Sequence, residues 1–309
     1  MRPSQGLTAQ AAAIRPASAT IRPEPASRPA GSPSLAGEGV GDRANGQWRG
    51  KVDGMCGRYV STRRPQDLVD QFDVTRWDPG QVLGPSWNVA PTDDVWSVLE
   101  RVEHDTGEVT RQLRSLRWGL VPSWAKSLSI GAKMINARVE TVAEKPAYRR
   151  AFAKRRCLLP ADGFYEWQAV AATETTKARK QPYFITSEDG QAMAFAGLYE
   201  FWRAPDASDA SDASEVDAPG AWWATCTIIT TEATDAAGRV HPRMPLTIAP
   251  DDWSAWLDPA HQDPGELRAL LTAPAAGHLA ARAVSTAVND VRNNGPHLLD
   301  EITDASSEG

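Results

Sequence analysis

The chain has 309 residues, 41% of them apolar and 23% charged, with a formal net charge of −6. It has no apolar run of membrane-spanning length, no apolar N-terminal segment typical of a secretion signal, and three widely spaced cysteines that fit neither a zinc motif nor a disulfide framework. The composition therefore argues against a membrane protein and a disulfide-stabilised secreted domain, and it indicates a reducing compartment and no metal site.

The first predicted segment is a disordered leader over residues 1–54, which are rich in Ala, Pro, Arg, Ser and Gly and lack apolar periodicity. The elements predicted after it are, in chain order, a helix at 65–72, strands at 95–102 and 113–120, a helix at 140–154, two strands within 157–168 that meet at Asp162-Gly163, strands formed by PYFITS, AMAFAGLYEFW and WWATCTIITT, helices near 251–257 and 264–272, and a strand at 281–285. The acidic segment 203–220 predicts a flexible surface loop, and residues 300–309 predict a disordered tail.

The order of these elements predicts an α+β fold with a single domain over residues 55–299. The chain shows no βαβ rhythm and no internal repeat, so we expect mostly antiparallel pairing with the helices at the periphery. Many short strands separated by Pro and Gly favour a curled, barrel-like sheet over a flat one.

Positive charge is concentrated in one part of this acidic chain. Residues 111–160 contain twelve Lys and Arg but only two acidic residues, Glu140 and Glu144. Such a block forms either a surface that attracts phosphate groups or a solvated helix face.

Cys56 is the first candidate for chemistry because it follows a Met in the start-like segment MCGRYV, residues 55–60. Removal of everything up to Met55 would give Cys56 a free α-amine, whose pKa is about 8, next to its thiol. The amine of a 1,2-aminothiol condenses with an aldehyde, and the thiol then closes a stable thiazolidine ring. An internal cysteine has an amide nitrogen and cannot do this. The alternative for Cys56 is a small buried apolar side chain.

Two further segments contain candidate proton donors and acceptors. In GFYEW, residues 163–167, Glu166 faces away from Tyr165 if the segment is a strand, and burial beside aromatic rings would raise its pKa. In HPRMP, residues 241–245, His241 could exchange protons near pH 7, and Arg243 could hold a phosphate. The alternatives are an exposed glutamate on a sheet and a structural histidine.

Other residues are candidates for contact with nucleic acid. In MINAR, Asn136 and Arg138 would point to the same side of an extended segment, or they belong to a turn. The tryptophans Trp87, Trp118 and Trp124 lie near Pro and Gly, and each either stacks on an unpaired base or packs in the core.

Eight motifs occur in order between Met55 and about residue 299: MCGRYV, WNVAPT, RWGLVPSW, INARVET, CLLPADGFYEW, IITTEA, HPRMP and VSTAVNDVRNNGP. Each alone is a weak signal, but the ordered set closely resembles the SOS response-associated peptidase (SRAP) family of abasic-site processing proteins. The resemblance implies a compact α+β fold with a positively charged DNA cleft. It also implies covalent capture of abasic sites in single-stranded DNA through an N-terminal cysteine.

Carried over by motif, the resemblance assigns roles to individual residues. The implied catalytic residues are Cys56 as the nucleophile, Asn136 to orient its amine, and Glu166 and His241 to transfer protons. The implied DNA-binding residues are Arg58, Pro91, Trp118, Arg138, Trp167, Thr230 and Arg243. The family needs no cofactor or metal, and it implies a monomer that is cytoplasmic in a bacterium and lies at the nucleoid when bound to DNA. Autoproteolysis and abasic-site lyase activity are further implied activities.

The leader before Met55 departs from the family pattern. Either translation begins at Met55, which the patternless leader favours, or the leader is removed between Met55 and Cys56. The sequence leaves two rival functions open, a thiol peptidase acting on other proteins and a non-covalent single-stranded DNA-binding protein.

Overall fold

The computed structural model describes residues 56–103, 105–173, 177–205, 222–271 and 279–302, which lie within one unit of the chain, residues 51–309. The predicted leader, all but the first residues of the 203–220 segment, and residues 303–309 of the tail lie outside the described residues.

Within the described ranges the chain forms mainly β-strands. The strands are β1 (Tyr59–Ser61), β2 (Arg76–Trp77), β3 (Ser86–Val89), β4 (Asp94–Val102), β5 (Val109–Trp118), β6 (Asn136–Arg138), β7 (Arg156–Ala161), β8 (Gly163–Val170), β9 (Arg179–Ser187), β10 (Met193–Arg203), β11 (Trp222–Glu232), β12 (Arg243–Pro245) and β13 (Leu279–Ala283). The α-helices are α1 (Pro65–Gln71), α2 (Arg149–Lys154), α3 (Asp235–Val240), α4 (Trp253–Leu257) and α5 (Pro264–Ala269).

Five strands close into a barrel. β11, β10, β7, β4 and β5 pair in that order, and β5 then pairs with β11 in parallel, with Thr225 opposite Arg117 and Cys226 opposite Trp118. The other pairs within this ring are antiparallel. The predicted barrel-like, mostly antiparallel sheet is therefore confirmed.

β11 has partners along both of its edges. Ile228 lies opposite Gly197 of β10 and Asn136 of β6, and Thr230 lies opposite Arg138 of β6 and Pro245 of β12. One edge of β11 is thus covered by β10 and then β12, and the other edge by β5 and then β6. This arrangement brings three separate parts of the sequence to the same strand.

A second sheet packs against the barrel. Its strands are antiparallel in the order β13, β9, β8, β1 and β3. An aromatic cluster connects the two sheets: the ring of Tyr59 lies 5.3 Å from Trp118 and 6.0 Å from Phe195, and Phe164 lies 6.1 Å from Phe195. These edge-to-face contacts hold β1 and β8 of the second sheet over the barrel.

Helices α1, α2 and α4 pack on the outside of the barrel, and α3 packs against β8, β9 and β13 of the second sheet and against β12. Phe72, next to α1, stacks on Trp253 of α4 at 4.4 Å, and Phe152 of α2 meets Trp256 of α4 at 6.1 Å. The peripheral position predicted for the helices is confirmed. Among the described residues no helix is long enough to cross a membrane, since the longest, α1, has seven residues and a span needs about 20.

Two predicted boundaries are wrong. The helix predicted over 140–154 begins only at Arg149, because residues 140–148 form successive tight turns and Pro146 has no N–H to donate. Residues 300–302, which the prediction assigned to the tail, belong to the fold, because Glu301 forms a bridge with Val284 and the Ile302 N–H donates to Ala283 at 2.9 Å.

Candidate active site

The pairing of β1 with β8 brings the start of the described chain beside Glu166. The N–H of Tyr165 donates to the carbonyl of Arg58 at 3.0 Å. In antiparallel pairing, the residues before Arg58 run alongside those after Tyr165, so Cys56 lies next to the Glu166 segment. The predicted strand-turn-strand over 157–168, which produces this pairing, is confirmed by β7 and β8.

Cys56 is completely buried, with 0% of its surface exposed. Its thiol lies 3.7 Å from the Arg58 carbonyl, to which it donates. Burial, and then the charge of Glu166, raise the pKa of the Cys56 thiol well above its ordinary value. The sulfur is therefore a neutral thiol near pH 7, and it needs a base, or attack on an already activated carbon, to react.

Asn136 contacts Cys56 directly. β6 places Asn136 opposite Ile228 of β11, and its Nδ2 donates to the backbone carbonyl of Cys56 at 2.9 Å. The Oδ1 atom of Asn136 is buried and has no hydrogen-bond partner among the described residues. Asn136 thus positions Cys56 through the carbonyl oxygen of Cys56, and its own Oδ1 remains a buried acceptor without a partner among the described residues.

Glu166 is almost completely buried, with 3% of its surface exposed. Burial raises the pKa of Glu166 to about 8, although the Trp167 N–H and the charge of Lys180 oppose this rise. Its Oε1 atom is buried without a hydrogen-bond partner among the described residues. The buried carboxyl group with a raised pKa agrees with the sequence prediction, and it is protonated at pH 7.

His241 completes the cluster from the other side. It follows α3 and precedes β12, and its Nδ1 lies 3.9 Å from Oε2 of Glu166. The same nitrogen lies 3.1 Å from both the N–H and the carbonyl oxygen of Arg243. It accepts from the N–H in one neutral tautomer and donates to the carbonyl in the other. The structure therefore brings Cys56, Asn136, Glu166 and His241 together.

The three predicted phosphate-binding arginines differ in their surroundings. Arg138 of β6 is exposed. Arg58 donates from Nη1 to the Asn88 side chain at 3.1 Å and to the Val288 carbonyl at 2.9 Å, and partial burial lowers its pKa. Arg58 is thus held in place by the fold, whereas Arg138 has its side chain in solvent.

Arg243 is anchored on two sides. Its guanidinium contacts the Glu140 carboxylate at 2.5 Å and donates to the carbonyl of Thr230 at 2.7 Å. The Arg243 side chain is 14% exposed and that of Glu140 is 48% exposed. A phosphate group that approaches Arg243 therefore has to compete with Glu140.

Two of the predicted DNA-binding side chains are in the core. Trp118 and Thr230 each have 0% of their surface exposed, and the indole of Trp118 donates to the Ile135 carbonyl at 2.9 Å. Neither side chain offers a surface to DNA, because both belong to barrel strands and point into packed regions.

The tryptophan at the surface in this region is Trp124, which is 63% exposed. The motif RWGLVPSW contains both Trp118 and Trp124, and the sequence prediction chose the one in the strand. Trp167 and Pro91 are half-buried, and the Trp167 indole donates to Asn289 at 2.7 Å. A loop tryptophan beside Pro122 was the signal for exposure, since loops run over protein surfaces.

Residues 55–291 match the family model described as SOS response associated peptidase (SRAP). The chain belongs to the SRAP family. This SRAP chain is 39% identical to the abasic site processing protein YoaM of Bacillus subtilis over 246 residues, which are 80% of this chain and 98% of that protein. It is 32% identical to the abasic site processing protein HMCES of Gallus gallus over 279 residues, covering 79% of this chain and 77% of the relative.

Solved structures share the SRAP fold described above. A protein from Bacteroides thetaiotaomicron aligns with a TM-score of 0.63 at 22% identity, covering 80% of this chain and 100% of the other. A protein from Bordetella bronchiseptica aligns with a TM-score of 0.56 at 24% identity, covering 74% of this chain and 100% of the other. These likenesses concern the fold alone.

Proposed function

We propose that this SRAP protein captures abasic sites in single-stranded DNA as a covalent thiazolidine formed by Cys56 with a free α-amine. The observation that carries the proposal is the position of Cys56 in a buried site beside two hydrogen-bond acceptors without partners, Oδ1 of Asn136 and Oε1 of Glu166. The names of the relatives, abasic site processing proteins, support the choice of substrate.

The two acceptors favour a free amine at residue 56. A buried acceptor without a partner costs roughly 1–3 kcal/mol, so native structures rarely keep two in one site. A backbone amide nitrogen has one N–H, whereas a free α-amine has two or three. Release of the residues before Cys56 would therefore supply donors that Asn136 and Glu166 lack within the described part of the chain.

The chemistry balances without an oxidant or reductant. The abasic deoxyribose opens from its hemiacetal to a C1′ aldehyde, and the Cys56 amine attacks C1′ and releases water to give an imine. The thiol sulfur then adds to C1′, and its proton moves to the nitrogen. The products are one thiazolidine and one water. The imine can alternatively undergo β-elimination, so lyase activity competes with crosslinking.

Glu166 and His241 are the proton-transfer groups of this scheme. A carboxyl group with a pKa of about 8 is protonated at pH 7 and can donate to O4′ during ring opening. His241, 3.9 Å from Glu166, can return the proton and assist the loss of water. The thiol of Cys56 is neutral, so it reacts after the amine has formed the imine, because the imine carbon is already electrophilic.

Exposure of Cys56 requires that the chain before it be absent or removed. The family match begins at residue 55, which supports translation from Met55 followed by loss of the methionine. The second route is cleavage between Met55 and Cys56 by the protein itself, which would be its peptidase activity. N-terminal sequencing of the native protein tests both routes, because a mature chain that retains residue 54 would exclude them.

The DNA strand would reach the site over a positively charged surface. Arg138 is exposed, Arg58 follows Cys56 by two residues, and Arg243 follows His241 by two residues. Each of these arginines can therefore contact phosphate groups near the site. Trp167 and Pro91 are half-exposed and would shape the cleft for an unpaired strand.

The decisive experiment incubates the chain expressed from Met55, with the initiator methionine removed, with a single-stranded oligonucleotide that contains one abasic site. We expect a DNA-protein species that survives denaturant, and its loss in the Cys56→Ala variant. A non-covalent DNA-binding protein would give no such species. A thiol peptidase would cleave test peptides even after its α-amine had been acetylated. Equal crosslinking by Cys56→Ala would refute the proposal.

A further inference from the structure

Asn88 of β3 connects Arg58 to the segment 288–293, which follows β13. The Asn88 side chain is almost completely buried, with 3% of its surface exposed. Its Oδ1 atom accepts from Nη1 of Arg58 at 3.1 Å. Its Nδ2 group donates, at 3.3, 3.1 and 3.0 Å respectively, to the carbonyls of Val288, Asp290 and Asn293. None of the roles assigned above involves this amide.

The surroundings of Asn88 fix the orientation of its amide. A guanidinium can only donate hydrogen bonds and a carbonyl can only accept them, so the amide oxygen has to face Arg58 and the amide nitrogen has to face the segment 288–293. Rotation by 180° would place donor against donor and acceptor against acceptor in a buried position, which is costly. Asn88 therefore holds the guanidinium and the segment in one arrangement.

Arg58 is held by neutral acceptors and keeps its charge. Within the described part of the chain, its side-chain hydrogen bonds both come from Nη1, to Asn88 and to the Val288 carbonyl. The N–H groups of Nε and Nη2 thus remain for another acceptor. Arg243 differs in this respect, because its guanidinium forms an ion pair with Glu140.

Two acidic residues act on Arg58 only through their charges. Burial lowers the pKa of Arg58, and the charges of Asp93 and Asp290 oppose this shift without an ion pair among the described residues. Each carboxylate is engaged elsewhere, since that of Asp93 accepts from the Ala90 N–H at 2.9 Å and that of Asp290 pairs with Arg292 at 2.6 Å. The guanidinium of Arg58 is therefore available to an anion from outside the chain.

The backbone of Arg58 is part of the candidate active site. Its carbonyl accepts from the Cys56 thiol at 3.7 Å and from the Tyr165 N–H at 3.0 Å. The segment 288–293 reaches the same site, because Oδ1 of Asn289 accepts from the Trp167 indole at 2.7 Å. One buried amide thus fixes a cation two residues away from Cys56.

We propose that Asn88 is a positioning residue that aims the Arg58 guanidinium at a phosphate group of the single strand beside the lesion held at Cys56. An arginine side chain has several rotatable bonds, and the amide restricts them before DNA arrives, so less conformational entropy is lost on binding. The amide is also neutral, so it leaves the charge of Arg58 to the phosphate, whereas a carboxylate in its place would neutralise that charge. This inference rests on the proposed function.

The test measures binding of the full chain to a single-stranded oligonucleotide that carries a tetrahydrofuran abasic analogue, which has no aldehyde and cannot crosslink. Fluorescence anisotropy over a range of salt concentrations gives the affinity and its salt slope, and urea unfolding gives the stability. The variants are Asn88→Ala, Arg58→Ala and the double variant. The matched control is Asn294→Ala, since Asn294 ties the same part of the chain to the β3 region through the backbone of Trp87 and Pro85.

We expect Arg58→Ala and Asn88→Ala each to weaken binding about tenfold and to reduce the salt slope by about 0.7, the value for one phosphate contact on a single strand. In the Arg58→Ala background, Asn88→Ala should change the affinity by less than about twofold, because no guanidinium remains to be aimed. The urea midpoint should fall with Asn88→Ala in both backgrounds, since the three carbonyls lose their donor in each. Asn294→Ala should lower the urea midpoint but keep the salt slope of the unmodified chain.

Asn88→Asp keeps the shape of the side chain, and it keeps the inference testable if Asn88→Ala does not fold. Its carboxylate would face the guanidinium and form an ion pair with it. The salt slope should therefore fall by about 0.7 although Arg58 is still held in place.

The inference is overturned if the effects of Asn88→Ala and Arg58→Ala on affinity multiply in the double variant, or if either Asn88 variant keeps the salt slope of the unmodified chain. Binding by Arg58→Ala that equals binding by the unmodified chain would also overturn it. So would an equal loss of salt slope in Asn294→Ala, because the segment as a whole and not the amide would then be responsible. Failure of the proposed function is separate, because it removes the denaturant-resistant species formed with a true abasic site, which the analogue cannot form.

Discussion

The carboxyl group of Glu166 and the imidazole of His241 face each other across the junction of the two sheets, with Oε2 and Nδ1 3.9 Å apart. Glu166 comes from β8 of the second sheet, and His241 comes from the turn before β12 of the barrel sheet. The site therefore exists only when both sheets are folded and packed together, and the distance between these two side chains reports on that packing.

The first prediction concerns the pH dependence of crosslinking. The Cys56 amine must be unprotonated, which favours a pH above about 8, whereas Glu166 with its pKa of about 8 must be protonated to act as an acid. The rate of crosslink formation by the chain beginning at Cys56 should therefore follow a bell-shaped curve with its maximum near pH 8. Single-turnover rates from pH 5 to 10 test this.

In the Glu166→Gln variant, the rate should be about 10²–10⁴-fold lower at the optimum, and the decline above pH 8 should disappear. An alkaline decline that persists in Glu166→Gln would show that another group is the acid.

The second prediction concerns stability. The folded-state pKa of Glu166, about 8, lies above its ordinary value of 4.5. Its contribution to the free energy of unfolding is therefore fully present below about pH 4.5 and is lost as pH rises through about 8. Urea unfolding should show that the unmodified chain loses stability relative to Glu166→Gln between pH 5 and pH 9. Glu188→Gln, which removes an exposed carboxylate just after β9, is the matched control.

The third prediction separates positioning of Cys56 from folding. Asn136→Ala removes the donor to the Cys56 carbonyl and should slow crosslinking about tenfold, the effect of about 1.4 kcal/mol. Tyr148→Phe removes a hydrogen bond to the Asn136 backbone but keeps the Asn136 amide, so its rate should fall less. Comparable losses in both variants would mean that the β6 backbone, and not the amide, determines the position of Cys56.

The fourth prediction compares the two tryptophans of one motif. Trp118→Ala empties a fully buried core position and should reduce the free energy of unfolding by about 3–5 kcal/mol. Trp124→Ala alters an exposed side chain, so the free energy of unfolding should change by no more than about 0.5 kcal/mol, while single-stranded DNA binds less tightly. Chemical denaturation and fluorescence anisotropy measure the two effects, and the reverse pattern would contradict the assignment.

The fifth prediction concerns the partner of Arg243. Hydrogen bonding to Arg243 lowers the pKa of Glu140, so this carboxylate is ionised and forms an ion pair with the Arg243 guanidinium. Glu140→Gln keeps the shape but removes the negative charge, and should strengthen DNA binding severalfold and steepen its dependence on salt. An unchanged salt dependence would show that Arg243 does not contact phosphate groups. Glu144→Gln, at a neighbouring exposed position, is the matched control.

The local elements could be predicted because their patterns are short and strong. Short apolar runs predict the strands around Val98, Leu158 and Phe195, and Pro65 marks the first turn of α1. The helix over 140–154 was overestimated because its composition is helical, whereas Pro146 prevents the regular hydrogen bonds before Arg149.

The tertiary relationships could not be predicted from the residues alone. No periodicity indicates that β5 pairs in parallel with β11, since that closure joins strands that are far apart in sequence. Likewise, Trp118 and Trp124 are the same residue type in one motif, and only the barrel decides which is buried.

β11 links the candidate active site to the closure of the barrel. Both of its edges are occupied between Thr225 and Thr230, so its amide hydrogens can exchange only when the barrel opens. Asn136 is attached to this strand through β6, and His241 through the turn that leads into β12. Heating should therefore abolish chemistry and tertiary structure in a single step, without a warm intermediate that is folded but inactive.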